Sequence, residues 1–163
     1  MDFIQQLNTW AKGDAFQGKL MIGTGIIILI IFITFFRSKS ELLQGMLIPL
    51  GLMFVVLLGY GSYILFSRPA HVNTMQVLYE KNPKEALQIE TVKQEIDYKS
   101  CKTLIKVYPI LMLVGVIALI FIPSPYFKGL ALGFVLLFIT AYFIDSGFAS
   151  RSLPFLQLLK PTN

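Results

Sequence analysis

Four long uncharged apolar runs constrain the fold of this chain more than any other feature of its sequence. They cover Leu20–Phe36, Leu42–Ser67, Val107–Phe127 and Gly129–Ile144. About 20 apolar residues in a helix cross the roughly 30 Å hydrocarbon core of a bilayer. The runs lack the polar positions at 3.6-residue spacing that helices of a soluble core need, and only 14% of all residues are charged. The sequence therefore predicts an all-α integral membrane protein with four transmembrane helices.

The 163 residues are predicted to form a single membrane domain. Short polar turns follow the first and third runs, which predicts two antiparallel hairpins. A longer polar segment joins the hairpins and predicts an arm outside the membrane. The predicted segments are an amphipathic interfacial helix (1–18), two spans (20–36 and 44–66), a helical arm (70–105), two further spans (107–123 and 129–145) and an interfacial tail (150–163).

The arm is predicted to be a helical hairpin. Pro83 disfavours helical geometry at Asn82 and so ends one helix, while Asn82 as N-cap, Pro83 as first residue and Glu85 as third start the next. An apolar stripe on the second helix needs a packing partner, which is the first arm helix, another copy of the chain or a partner protein. The packing or partner face of the arm comprises Met75, Leu78, Ala86, Ile89, Val92 and Ile96.

The basic residues are unevenly distributed between the two sides of the membrane. All of the 14 lysines and arginines except Arg37, Lys39 and Lys128 fall on the side that holds both termini and the arm. Because cytoplasmic loops carry an excess of Lys and Arg, both termini and the arm are predicted to be cytoplasmic. The single cysteine, Cys101, fits a reducing compartment. We expect the chain in the inner (cytoplasmic) membrane of a bacterium.

The two hairpins resemble each other, which raises the question of an internal repeat. Alignment of the hairpins pairs Gly45 with Gly129 and Gly51 with Gly133. The offset varies along the alignment and apolar sequence produces such matches by chance, so duplication and coincidence both stay open. Duplicated hairpins of equal orientation would be related by an axis along the membrane normal. Gly129 and Gly133 also form a small-xxx-small pair, which predicts close helix packing within the chain or in a dimer.

Few polar residues accompany the spans. Asp145 lies at the C-terminal end of the fourth span, where the helix dipole disfavours an anion. Arg68 and Arg151 lie at the same depth, so a structural clasp of these three residues is predicted, with a gate or proton-linked site as the alternative. His71, the single histidine, is interpreted as an interfacial residue, with a functional polar role as the alternative.

No catalytic, metal or cofactor site is expected. No nucleophile is paired with a base at a recognisable spacing, and His71 and Cys101 are not a set of metal ligands. The formal charge of +5 is explained by the positive-inside bias, so nucleic acid is not an expected partner. The spans contain no buried pair of ionisable residues, which argues against a coupled pump.

These features favour a non-enzymatic membrane subunit or scaffold, oligomeric, that contacts partner proteins through its cytoplasmic arm. The alternative is an oligomeric channel or small-solute transporter. A second alternative is an immunity-type protein against a membrane-active toxin. The predicted topology, four spans with both termini inside, resembles that of such proteins. The expected partners are the lipid bilayer, further copies of the chain and a cytoplasmic or membrane protein.

Overall fold

Helices form nearly the whole chain in the computed structural model, which describes residues 2–160. The helices are α1 (Phe3–Phe36), α2 (Glu41–Gly45), α3 (Leu47–Lys81), α4 (Pro83–Phe121) and α5 (Pro125–Leu159). No strand occurs in the described residues. All but the short α2 are long and apolar enough to cross a membrane. The prediction of an all-α chain with four helices able to span a membrane is confirmed.

The four long helices extend well beyond the thickness of a bilayer. They contain 34 to 39 residues, which at 1.5 Å per residue gives roughly 50 to 60 Å. A hydrocarbon core is only about 30 Å thick. Each helix therefore continues for several turns outside the apolar run that it contains.

This continuity differs from the segments expected from hydropathy. The predicted interfacial helix 1–18 and the first span form one helix, and the tail 150–163 continues α5 as far as Leu159. The arm 70–105 consists of the end of α3 and the start of α4. The change in hydropathy does not end these helices, and α3, α4 and α5 accommodate Pro69, Pro109 and Pro154 in their interiors. Met1 and residues 161–163, which belong to the predicted first helix and tail, lie outside the described residues.

Asn82 separates α3 from α4 in the arm. Its side chain accepts a hydrogen bond from the Glu85 backbone N–H at 3.4 Å and donates one to Oε2 of Glu85 at 3.0 Å. Pro83 occupies the first helical position, where its missing N–H costs nothing. This is the reciprocal capping arrangement that the sequence around Asn82 predicts.

The four long helices pack together at the end of the molecule where the described termini and Asn82 lie. We call this part the terminal bundle: α1 up to Ala15, α3 from Arg68, α4 up to Ile105 and α5 from Phe148. Its core contains Phe3, Leu7, Trp10, Ala11, Val72, Met75, Ala86 and Phe155. The arm is thus not a free hairpin, because the two ends of the chain complete a common core with it.

Beyond the terminal bundle, α1 packs on α3 and α4 packs on α5. The rings of Phe32 and Phe54 are 5.5 Å apart in the first pair, and those of Tyr108 and Phe138 are 6.4 Å apart in the second. The two pairs contact each other through a second core cluster that includes Met21, Met53 and Leu137. At the opposite end of the molecule they also meet through α2 and the start of α5. A Cβ atom on Gly45 would overlap the carbonyl oxygen of Tyr126, and one on Gly129 would overlap that of Leu42. Glycine at both positions lets the backbones touch.

We predict that Gly129→Ala and Gly59→Ala change stability in opposite directions. The new methyl group at 129 collides with the Leu42 backbone, and overpacking of this kind costs about 1–3 kcal/mol. A Cβ on Gly59 of α3 meets no atom within 4 Å, so that variant gains up to about 1 kcal/mol of helix propensity. Equilibrium unfolding in mixed micelles measures both free energies. Equal effects would contradict the close contact at Gly129.

Candidate functional site

Asp14 is the most deeply buried charged residue of α1. It is 1% exposed and lies on the face of α1 that points into the molecule, between Trp10 and Gln17. Residues spaced three or four apart share one helix face, and Leu7 and Met21 extend the same buried row. The sequence therefore buries this carboxylate by placing it on an otherwise mostly apolar stripe.

Two arginines neutralise the Asp14 carboxylate. Arg68 of α3 donates from Nε to Oδ2 at 2.9 Å, and Arg151 of α5 donates from Nε to Oδ1 at 3.0 Å. Arg151 Nη2 also donates to Oε1 of Gln17, whose amide donates to the Ile144 carbonyl at 2.7 Å. A buried charge needs such partners because its desolvation is otherwise very costly. Asp14 thereby ties α1, α3 and α5 together at one point.

Trp10, the single tryptophan, lies directly beside this ion cluster. The guanidinium carbon of Arg68 is 4.5 Å from the centre of its ring, and Nζ of Lys93 is 5.0 Å away. Phe155 stacks on the indole with a centroid distance of 5.7 Å. Cations placed over an indole face are attracted by its quadrupole. Trp10 therefore contacts both the apolar core of the terminal bundle and the charged side chains of Arg68 and Lys93.

His71 lies in a second polar cluster, on the inner face of the arm. Glu90 is fully buried, and its Oε2 accepts a hydrogen bond from Nε2 of His71 at 2.7 Å, while Oε1 accepts one from Gln94 at 2.8 Å. Burial raises the pKa of Glu90, but the hydrogen bonds from His71 and Gln94 lower it more, so the pKa lies below its ordinary value of 4.5. The histidine thus joins the end of α3 to the start of α4.

The structure brings Arg68 and Arg151 together but places Asp14, not Asp145, between them. Asp145 faces α4, where its Oδ2 accepts a hydrogen bond from the Tyr108 hydroxyl at 2.7 Å. No arginine, lysine or histidine of the described residues forms an ion pair with it. The expected three-residue clasp of Arg68, Asp145 and Arg151 is therefore replaced by two arginines around an acid of α1.

The predicted face of the arm is divided between the inside and the outside of the terminal bundle. Met75, Leu78 and Ala86 lie in or against its core. Ile89 is 45% exposed, Val92 50% and Ile96 58%. Since α4 turns Glu90 and Gln94 inward, the three aliphatic side chains point away from α3. The first arm helix does not cover them.

The two glycines of the small-xxx-small pair pack within the chain. Gly129 faces the backbone of α2, and a Cβ on Gly133 would overlap the Pro49 ring of α3. Both residues are buried in the single chain. Their small size serves the contact between the two helix pairs.

A polar cavity of about 350 Å³ opens beside the ion cluster, where all four long helices approach each other. Its lining residues are Asp14, Tyr60, Tyr63, Arg68, Lys93, Asp97, Ser100, Cys101, Leu104, Asp145, Phe148 and Ser152. Burial, together with the carboxylates of Asp145, Asp97 and Asp14, raises the pKa of the Cys101 thiol to about 11. The thiol is therefore protonated at neutral pH and a poor nucleophile.

The sequence contains signals for Asp14, Glu90 and Gln94, which are not among the predicted site residues. Asp14 follows Trp10 by four residues and precedes Gln17 by three, which places it on the inner stripe of α1. Glu90 and Gln94 follow Ala86 at intervals of four, so an inward polar row was readable beside the aliphatic one. The aliphatic row is the stronger signal for the inner face, because apolar residues face a core more often than polar ones.

Neither known proteins nor a metal cluster assigns a function to this site. No protein-family model, no curated protein and no solved structure matches the chain. Within residues 2–160, no group of three or more histidine, cysteine, aspartate or glutamate residues is placed to hold a metal ion. The function is therefore inferred from packing and charge.

Asp14→Asn is predicted to destabilise the fold far more than Asp97→Asn. Removing the carboxylate leaves two arginines facing each other at a partly buried site, and breaking a buried pair costs about 3–5 kcal/mol. Asp97 is 41% exposed and pairs with Lys93 one turn away on the same helix, an interaction worth about 0.5 kcal/mol or less. Unfolding followed by Trp10 fluorescence compares the two free energies. If both variants lost a similar free energy of unfolding, the Asp14 ion pairs would not be the main contact that joins α1, α3 and α5.

The stabilisation from Glu90 is predicted to depend on pH. Its folded-state pKa lies below the ordinary 4.5, so the ionised group adds stability above about pH 4.5, and this contribution is lost as the pH falls through the lowered pKa. Glu90→Gln should therefore be less stable than the native chain at pH 6 and approach it as the pH falls below 4. Glu80→Gln, an exposed change on the same arm, is the control. If the difference in the free energy of unfolding between the native protein and Glu90→Gln stayed constant from pH 6 to below pH 4, the lowered pKa of Glu90 would be contradicted.

Proposed function

We propose that this chain is a non-enzymatic scaffold subunit of a membrane assembly, and that it associates with further copies through the outward face of α4. The proposal rests on the exposed aliphatic row Ile89, Val92 and Ile96 in the terminal bundle. This part of α4 precedes the apolar run of the helix by several turns, so lipid does not cover the row. Three adjacent aliphatic side chains gain about 1.5–3 kcal/mol each on full burial, which favours association.

The same face of α4 continues into the apolar run. Ile89, Ile96, Ile110 and Ile117 recur at multiples of seven residues, as do Val92, Leu113 and Ile120, and all are exposed in the single chain. Lys99, Thr103 and Lys106 fill the intermediate positions, where the helix enters the bilayer. A seven-residue repeat of this kind packs a helix against a like helix in a supercoil.

A second copy of the chain fits this face better than a soluble partner. A soluble protein covers only the row outside the bilayer, whereas another copy in the same membrane presents the whole face in the same direction. Two copies related by a two-fold axis along the membrane normal bring α4 against α4 in parallel. The apolar positions of the face then meet their own counterparts, and the ammonium groups of Lys99 and Lys106 turn away from the two-fold axis towards water and headgroups.

The proposed orientation has both termini and the terminal bundle in the cytoplasm of a bacterial inner membrane, with the spans as two antiparallel hairpins. The distribution of basic residues supports this orientation. An internal repeat is supported by the contacts at the opposite end. Gly45 approaches Tyr126 and Gly129 approaches Leu42, and the alignment of the hairpins pairs Gly45 with Gly129 and Leu42 with Tyr126. Such reciprocal contacts are those of a two-fold axis that relates the hairpins within one chain.

The alternative of a channel or small-solute transporter needs a polar path through the spans. Thr34 donates its hydroxyl to the Ile31 carbonyl at 2.7 Å, and Thr140 donates to Leu136 at 2.9 Å. Both hydroxyls thus bond to the backbone of their own helix. The scaffold is favoured because the polar side chains of the chain are concentrated outside the spans.

We predict that Val92→Cys forms a disulfide-linked dimer in isolated membranes and Val77→Cys does not. Val77 lies on α3, also in the terminal bundle, and is 53% exposed against 50% for Val92, so the two cysteines are equally accessible. Both substitutions are made in a Cys101→Ser background. Mild oxidation followed by non-reducing electrophoresis measures the dimer. Equal cross-linking of both variants, or none at position 92, would rule out the α4 interface.

A further inference from the structure

The cavity and the ion cluster beside it are together neutral but divided in charge, with Arg68 lining the cavity and Arg151 lying outside its lining. Asp14 faces both Arg68 and Arg151, which leaves one positive charge in excess on that side. Lys93 and Asp97 balance each other at 2.9 Å. Asp145 has only the Tyr108 hydroxyl as a hydrogen-bond partner in the described chain and leaves one negative charge in excess on the other side. A ligand that matches this cavity carries both charges.

The groups on each side fit particular ligand chemistries. The bonds of Arg68 to Asp14 use its Nε and Nη2 atoms, and neither uses Nη1, so a donor is left for a phosphate oxygen. Asp145 offers a carboxylate oxygen to an ammonium group. Tyr60 and Phe148, whose ring centroids are 5.9 Å apart, add aromatic surface of the kind that binds alkylammonium groups. The volume of about 350 Å³ lies in the usual range for small-molecule sites.

The position of the cavity favours a lipid over a soluble zwitterion. Tyr60 and Tyr63 lie near the end of the apolar run of α3, and Asp145 directly follows that of α5. The cavity therefore lies at the depth of the lipid headgroups. Tyr63 is 62% exposed and Leu104 42% exposed at its rim, where they offer an apolar surface to acyl chains.

We infer that this cavity binds the headgroup of a zwitterionic phospholipid, with its ammonium group on Asp145 and its phosphate on Arg68. The site is independent of the α4 face, since Ile89, Val92 and Ile96 do not line it. The ligand chemistry is that of a phosphate joined to an amine by a short linker. A soluble phosphoamine shares this chemistry but lacks the chains that the rim accommodates.

Native mass spectrometry of delipidated protein tests the inference. The protein is titrated with phosphatidylethanolamine, with phosphatidylglycerol of the same acyl chains, and with soluble phosphoethanolamine. Phosphatidylethanolamine should bind about tenfold more tightly than phosphatidylglycerol, because the ammonium adds one charge-assisted hydrogen bond. Asp145→Asn should remove this preference by weakening the binding of phosphatidylethanolamine about tenfold. Glu80→Gln, an exposed carboxylate outside the cavity, should keep the native preference.

A second variant, Tyr63→Ala, keeps the inference testable if Asp145→Asn does not fold. Tyr63→Ala changes an exposed rim residue and should weaken phosphatidylethanolamine several-fold, with the melting of each variant followed by Trp10 fluorescence. Equal affinity for the two lipids, or an undiminished preference in folded Asp145→Asn, overturns the headgroup site. If Asp145→Asn does not fold, undiminished binding by Tyr63→Ala overturns it. If soluble phosphoethanolamine binds as tightly as phosphatidylethanolamine, the inference that the ligand is a lipid is wrong.

Discussion

The ion pair between Asp14 and the two arginines is the interaction on which the rest of the molecule depends. Arg68 and Arg151 bring α3 and α5 to one carboxylate of α1, at the point where the helices change from apolar to polar surroundings. A carboxylate as deeply buried as Asp14 is very costly without a cationic partner, so the three helices have one register in which it reaches both guanidinium groups. The terminal bundle, the Trp10 contacts and the neighbouring cavity all follow from that register.

The first half of α4 turns polar side chains inward and aliphatic side chains outward. Glu90 is buried because His71 and Gln94 each donate a hydrogen bond to one of its carboxylate oxygens. The same rotation places Val92 on the surface and Lys93 over the indole of Trp10. Inside the bundle a hydrogen-bonded carboxylate is specific in its partners, whereas an aliphatic row is not. The arrangement therefore fixes the fold within one chain and leaves the apolar face uncovered.

The four spanning helices and the capped turn at Asn82 were readable from the sequence because hydropathy and capping are local properties. The terminal bundle was not, because it requires Phe3 and Phe155, residues from opposite ends of the chain, to meet Val72 and Ala86. The acid between the arginines was missed for a similar reason. Asp145 is next to a span in sequence, but only the packing of α1 reveals that Asp14 is nearer to both guanidinium groups.

The uninterrupted helices have a mechanical consequence. The helices α1, α3, α4 and α5 continue from the apolar runs into a common core, and Gly45 and Gly129 bring the two helix pairs together at the far end. No loop therefore separates the bilayer part from the part outside it, and Pro69, Pro109 and Pro154 lie inside α3, α4 and α5. The first and last apolar runs are shorter than the about 20 residues that match a typical bilayer. A bilayer thins locally around an apolar stretch that is shorter than its hydrocarbon core. We therefore expect the lipid next to these two helices to be thinner than the bulk bilayer.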